Sequence, residues 1–151
     1  MATLIIASIS DRSGKTAIAA ALASKLSSDG SSVAVGKALG NNPTDDNDAA
    51  VFASLLPTNP VVSASAADIA SVISASSGSS KIAIVEGSSS AQSNVDMANS
   101  TDGLVLLIAR FGEDVAGAQR EVAGVDVGGD VGIIVVGNGE IPRTGFGQDV
   151  D

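Results

Sequence analysis

The hydrophobic residues of this chain fall into short unbroken runs, separated by stretches in which they recur every three or four positions. The runs are Thr3 to Ala7, Ser32 to Val35, Lys81 to Val85, Leu104 to Ala109 and Gly132 to Val136. Continuous rather than alternating apolar positions are the pattern of strands covered on both faces, as in a parallel sheet. The intervening stretches carry helical spacing: Ile18, Leu22 and Leu26 line one face, and Ala49, Phe52, Leu55 and Leu56 a second. Ile69, Val72 and Ile73 line a third, and Phe111, Val115, Ala118 and Val122 a fourth. Strand and helix alternate, which predicts right-handed βαβ units stacked as a three-layer α/β/α sandwich with a mostly parallel central sheet. Gly30 follows the first helix as a stop, and Pro43-Thr44-Asp45 offers a cap before the second. The Ser- and Ala-rich stretch Ser63 to Ser80 reads mostly as a surface helix with a loop behind it. Gly87 to Ser93 reads as a loop at the carboxyl end of the third run. The closing stretch GNGEIPRTGFGQDVD is Gly-rich and polar, so the expected organisation is one domain over 1–142 and a tail over 143–151.

Composition narrows what such a domain can do. At 151 residues and 44% hydrophobic, the chain is sized for a single buried core. No apolar run approaches the roughly 20 residues of a membrane helix. Met1-Ala2 leads straight into the first run with no basic leader or cleavage site, so the expectation is a cytoplasmic protein with no membrane partner. Cysteine and histidine are absent, which removes disulfides, thiolate nucleophiles, Ser-His triads and the usual zinc ligands together. Chemistry falls to Lys, Asp, Glu, Ser, Thr and backbone groups, with a bound ion. A formal charge of −9, from 17 acidic against 8 basic residues, argues against a nucleic-acid surface and serves solubility. Aromatic residues at 2% offer no platform for base stacking.

Against that background the first run breaks off in a way that carries chemistry. LIIASISDRSGKTAIAAAL passes from an apolar run through Ser10-Asp11-Arg12-Ser13-Gly14-Lys15-Thr16-Ala17 into a helical pattern. The first turn of such a helix presents unpaired N–H groups and the positive end of the helix dipole, both of which stabilise an anion. Gly14 lets the backbone approach a phosphate, Lys15 reaches β- and γ-oxygens, and the Thr16 hydroxyl holds Mg²⁺. The strict pattern G-x-x-x-x-G-K-[ST] is not met, because Ile9 stands at the first Gly position. A polar capped turn between strand and helix is the plainer alternative.

The stretch resembles the longer phosphate loop of the dethiobiotin-synthetase-like P-loop ATPases. It is most similar to the P-loop domain at the N-terminus of many phosphotransacetylases, which favour a small residue and Ser where this chain has Ala7-Ser8, and the Arg-Ser-Gly-Lys form at Arg12 to Lys15. The partitioning ATPases carry a signature Lys where this chain has Ser10. The resemblance extends downstream. VAVGKALG is similar to the family's second strand, and implies that Lys37 points at the phosphates, although Ala38 stands where the family usually has Pro. DDNDAAVFASLL resembles the opening of the second helix and implies Asp48 as a magnesium ligand, with Asp46 as second choice. An acidic residue in a first helical turn is also favourable without a ligand. KIAIVEGSSS looks like the family's acidic strand end, implying that Glu86 contacts magnesium and that Gly87 gives clearance for the γ-phosphate. A carboxylate after four buried residues is costly unless it is paired, which agrees with a ligand role. Asn138 in GIIVVGNGEIP stands about two residues beyond the Asn that reads adenine in the relatives.

What the resemblance implies is an ATP- and Mg²⁺-binding domain, regulatory or slowly hydrolytic, with pairing of two copies near the nucleotide or a protein partner. One alternative is a synthetase of the dethiobiotin or cobyrinic acid a,c-diamide kind. There Lys15, Lys37 and Mg²⁺ would stabilise charge on the phosphoryl group passed to a carboxylate. A non-catalytic protein-interaction scaffold of the same shape is the other.

Overall fold

Strands that are apolar on consecutive residues must be covered twice, and the chain solves this by placing two helices on each face of one sheet. The computed structural model describes residues 1–10, 12–39, 47–76, 78–88, 90–110 and 131–136. Along the chain run β1 (Ala2–Ser8), α1 (Lys15–Ser28), β2 (Val33–Leu39), α2 (Asp48–Leu55) and β3 (Val61–Ser65). They are followed by α3 (Ile69–Ser76), β4 (Ile82–Glu86), α4 (Ala91–Thr101), β5 (Leu104–Arg110) and β6 (Val131–Val136). The strands form one sheet in the order β3-β2-β4-β1-β5-β6, and every neighbouring pair is parallel.

The chain moves one way along the sheet from β1 to β3 and the other way from β3 to β6, so crossovers of one hand put their helices on opposite faces. The core divides accordingly. On one face Ile6, Val35, Ile84 and Ile108 pack with Ala19 and Ala23 of α1 and with Phe52 of α2. On the other, Ile5, Val85 and Leu107 pack with Ile69 and Ile73 of α3 and Met97 of α4. Ile5 and Ile6 are both fully buried, and neighbouring strand residues point to opposite faces. The architecture is thus the three-layer α/β/α sandwich expected from the pattern.

Several local expectations are corrected. Ser63 to Ser80 holds the expected helix as α3, but its first three residues are not helical, because Val61–Ser65 pairs with β2 as an edge strand in the register Val35↔Val61 to Leu39↔Ser65. Only its apolar positions are half-buried, and Ser63 and Ser65 face outward. Gly87 to Ser93 is not all loop. The Ser90 side chain accepts a hydrogen bond from the Ser93 N–H and starts α4 there, satisfying a donor that the first turn leaves open. On α1 the buried residues are Ala19, Ala20 and Ala23, while Ile18, Leu22 and Leu26 flank the contact. Small side chains let that helix sit close to the sheet. The stretch containing Phe111, Val115, Ala118 and Val122, the Pro43-Thr44-Asp45 cap and the tail lie outside the described residues. Among the described residues no helix is long and apolar enough to cross a membrane.

Candidate functional site

The connection leaving β1 passes over one face of the sheet and the one leaving its neighbour β4 over the other, so a crevice opens beyond the carboxyl ends of these strands. Such switch points are where open parallel sheets take ligands. In this crevice lies a cleft of about 280 Å³ lined by Arg12, Ser13, Gly14, Lys15, Thr16, Lys37, Asp48 and Glu86. Residues from four separate segments meet there. β1 and α1 bring the loop, β2 brings Lys37, the first turn of α2 brings Asp48, and the end of β4 brings Glu86. A larger hollow of about 360 Å³ lies between α3 and α4, but its lining, including Thr3, Ile69, Ile73 and Met97, has no charged side chain.

The loop is held in an unusual shape. Gly14 caps α1 at φ 90°, with no side-chain hydrogen bond to the cap, and Arg12 is left-handed at φ 56°. A non-glycine residue there costs on the order of 1 kcal/mol, the kind of local strain that clusters at ligand sites. Lys15 turns back along the loop and donates to Ser8 Oγ at 2.9 Å, and Ser8 in turn donates to the Ser10 carbonyl at 2.8 Å. Ser8 was not a candidate from the sequence, although its place after the last apolar residue of the strand puts it within reach. Ala17 is exposed on α1 and takes no part in lining the cleft. Asp11, Asp46 and Asn138 lie outside the described residues.

Beneath the loop sits a charged cluster created by strand register. Lys37 on β2 is the direct partner of Glu86 on β4. The Lys37 ammonium donates to Glu86 Oε1 at 2.9 Å and to Asp48 Oδ2 at 2.8 Å. Thr16 Oγ1 donates to the same Glu86 oxygen at 3.1 Å. The Lys37 and Glu86 side chains are 9% and 3% exposed, against 34% for Asp48. Burial raises the Glu86 carboxyl above the ordinary glutamate range, and the contacts with Lys37 oppose this without cancelling it. For Lys37 burial acts downward, but its hydrogen bonds and charge contacts with Asp48 and Glu86 outweigh it and hold the ammonium above its usual value.

The buried side-chain oxygens without a hydrogen-bond partner among the described residues are Ser13 Oγ, Glu86 Oε2 and Asn94 Oδ1. Each such group costs roughly 1–3 kcal/mol. Two of the three line the cleft and the third packs behind it, which is the distribution expected where a ligand supplies the missing partners. Asn94 was not foreseen. Its Nδ2 donates to the Ser88 carbonyl at 3.1 Å, and an added Cβ on Gly87 would collide with its Oδ1. Its role follows from a close approach of α4 to the end of β4, and α4 itself is hidden in a polar sequence. Gly87→Ala should therefore displace a buried, hydrogen-bonded side chain. We expect a loss of about 2 kcal/mol in stability, measured by denaturant unfolding; an unchanged midpoint would show that Asn94 moves freely.

Magnesium takes oxygen ligands, keeps several waters, and is held by one or two carboxylates plus substrate phosphates. Thr16, Asp48 and Glu86 bring such oxygens together, and Glu86 Oε2 is buried without a partner. The donor set fits that ion. Among the described residues no group of three or more His, Cys, Asp or Glu comes together to hold a metal without other ligands. No model of a known protein family matches this chain, and no curated protein matches it.

Proposed function

We propose that the cleft binds ATP with Mg²⁺ and that the domain serves as a nucleotide-responsive module with slow hydrolysis. The observation that carries this reading is convergence. Lys15, Thr16, Lys37, Asp48 and Glu86 line one cleft at the uncapped start of α1. The β- and γ-phosphates would rest on the backbone of Ser13 to Thr16, where the first-turn N–H groups have no helical partner. Lys15 would neutralise phosphate charge, and Thr16, Asp48 and Glu86 would hold the ion, which when bound draws charge from the phosphate oxygens. Support for a place near the N-terminal P-loop domain of phosphotransacetylases comes from the resemblance of DRSGKT and VEGSSS. Slow turnover is the expectation, since with nucleotide bound both carboxylates would be engaged with the ion and neither would be poised to take a proton from water.

The deciding experiment is isothermal titration of MgATP and MgGTP into the wild-type protein. Saturable binding of MgATP is expected. Heat from neither nucleotide, with no rise in melting temperature at millimolar concentration, would leave the molecule as a scaffold without a nucleotide.

A further inference from the structure

We propose that Lys37 is an internal counter-ion that keeps the place of the divalent cation until phosphate arrives, so that the cleft admits the metal only together with the nucleotide. The inference rests on the reading of the cleft as a nucleotide site and concerns how that site is gated.

The geometry points to competition for the same oxygens. The Lys37 ammonium is within hydrogen-bond distance of one oxygen from each of the two carboxylates in the cleft, Asp48 at 2.8 Å and Glu86 at 2.9 Å. A magnesium ion held by Asp48 and Glu86 would draw on the same two carboxylates. An ammonium and a divalent ion cannot both occupy that space, and their repulsion is weakly screened where the Lys37 side chain is only 9% exposed. Thr16 is turned to the same Glu86 oxygen, so the third candidate ligand is also engaged.

The ammonium leaves only if another anion receives it. A metal ion arriving alone offers none. A phosphate in the cleft does, because the loop residues Ser13 to Thr16 and Lys37 line the same space of about 280 Å³. The backbone of Lys37 is fixed in the sheet by its register with Glu86, while the rotatable bonds of its four-carbon stem would carry the charge from carboxylate to phosphate. Metal and nucleotide binding are then coupled through one side chain, and the coupling is reciprocal.

The test uses Mn²⁺ alone, followed by its paramagnetic resonance signal, on the wild type and on Lys37→Gln. The variant should bind Mn²⁺ at least about tenfold more tightly than the wild type and gain melting temperature with it. Adding Glu86→Gln to the variant should remove both effects. Equal Mn²⁺ affinity in wild type and variant overturns the inference. A measurement on the wild type alone guards against a poorly folded variant: the ¹⁵N signal of the Lys37 ammonium should stay in place with millimolar Mg²⁺ and shift with MgATP. Movement with Mg²⁺ alone overturns the gating while the nucleotide site stands. Failure of MgATP to bind at all overturns the site, and the gating with it.

Discussion

Lys15→Ala should lower the affinity for MgATP by about 100-fold, because a charge-assisted contact to a partly desolvated phosphate is worth about 3 kcal/mol. The loss should come without unfolding. Lys15 is half-buried and donates to the Ser8 hydroxyl, a contact whose loss should change stability by only about 1 kcal/mol. Calorimetric titration beside a melting curve separates the two effects. If the variant kept wild-type affinity, the loop between β1 and α1 would be a capped turn and the phosphate reading would fall.

The second large effect concerns the buried pair. Lys37→Met leaves Glu86 as a carboxylate 2% exposed with no cation beside it, and should destabilise the fold by about 3–5 kcal/mol. Adding Glu86→Gln should restore much of that loss, giving a coupling energy of about 2 kcal/mol in a double-mutant cycle of denaturant unfolding. A coupling indistinguishable from zero would mean that the two groups do not stabilise each other. The pH dependence has a definite sign. The folded-state pKa of Glu86 is raised, so the folded protein holds that proton more tightly than the unfolded chain does. The penalty for ionising it is absent below the ordinary glutamate value and grows as pH rises through the folded value. The deficit of Lys37→Met should therefore be smallest in acid and largest near neutrality. Lys37 works the other way: its raised pKa contributes stability below the ordinary lysine value that is lost as pH climbs through the folded one.

These residues differ in how visible they are to sequence reasoning. The loop was legible because strand, turn and helix follow one another within about twenty positions, and each leaves a local signal. β1, β4 and β5 were legible because two-sided burial forces unbroken apolar runs. β3 was not, since an edge strand covered on part of its surface needs little hydrophobicity, and Val61-Val62 ran into Ser63 and Ser65. α4 was masked by Ser, Asn, Gln and Asp, although Val95 and Ala98 recur at helical spacing behind the cap at Ser90. Lys37, Asp48 and Glu86 were singled out by resemblance, and the structure brings both carboxylates within hydrogen-bond reach of Lys37. Their joint contact depends on pairing between strands whose charged residues are 49 positions apart, which no local pattern encodes. Asn94 left no signal because it acts through the backbone that packs against it, and Ser8 left only its place at the end of the strand.

That cross-strand contact also bears on how the chain finds its fold. β2 and β4 are separated along the chain by α2, β3 and α3, and parallel pairings at such separation form slowly. A slip of one residue would turn Lys37 to the opposite side of the sheet and bury it and Glu86 apart, each unmatched. Misaligned chains would thus be rejected during folding by the same two charges that the finished protein keeps at its cleft.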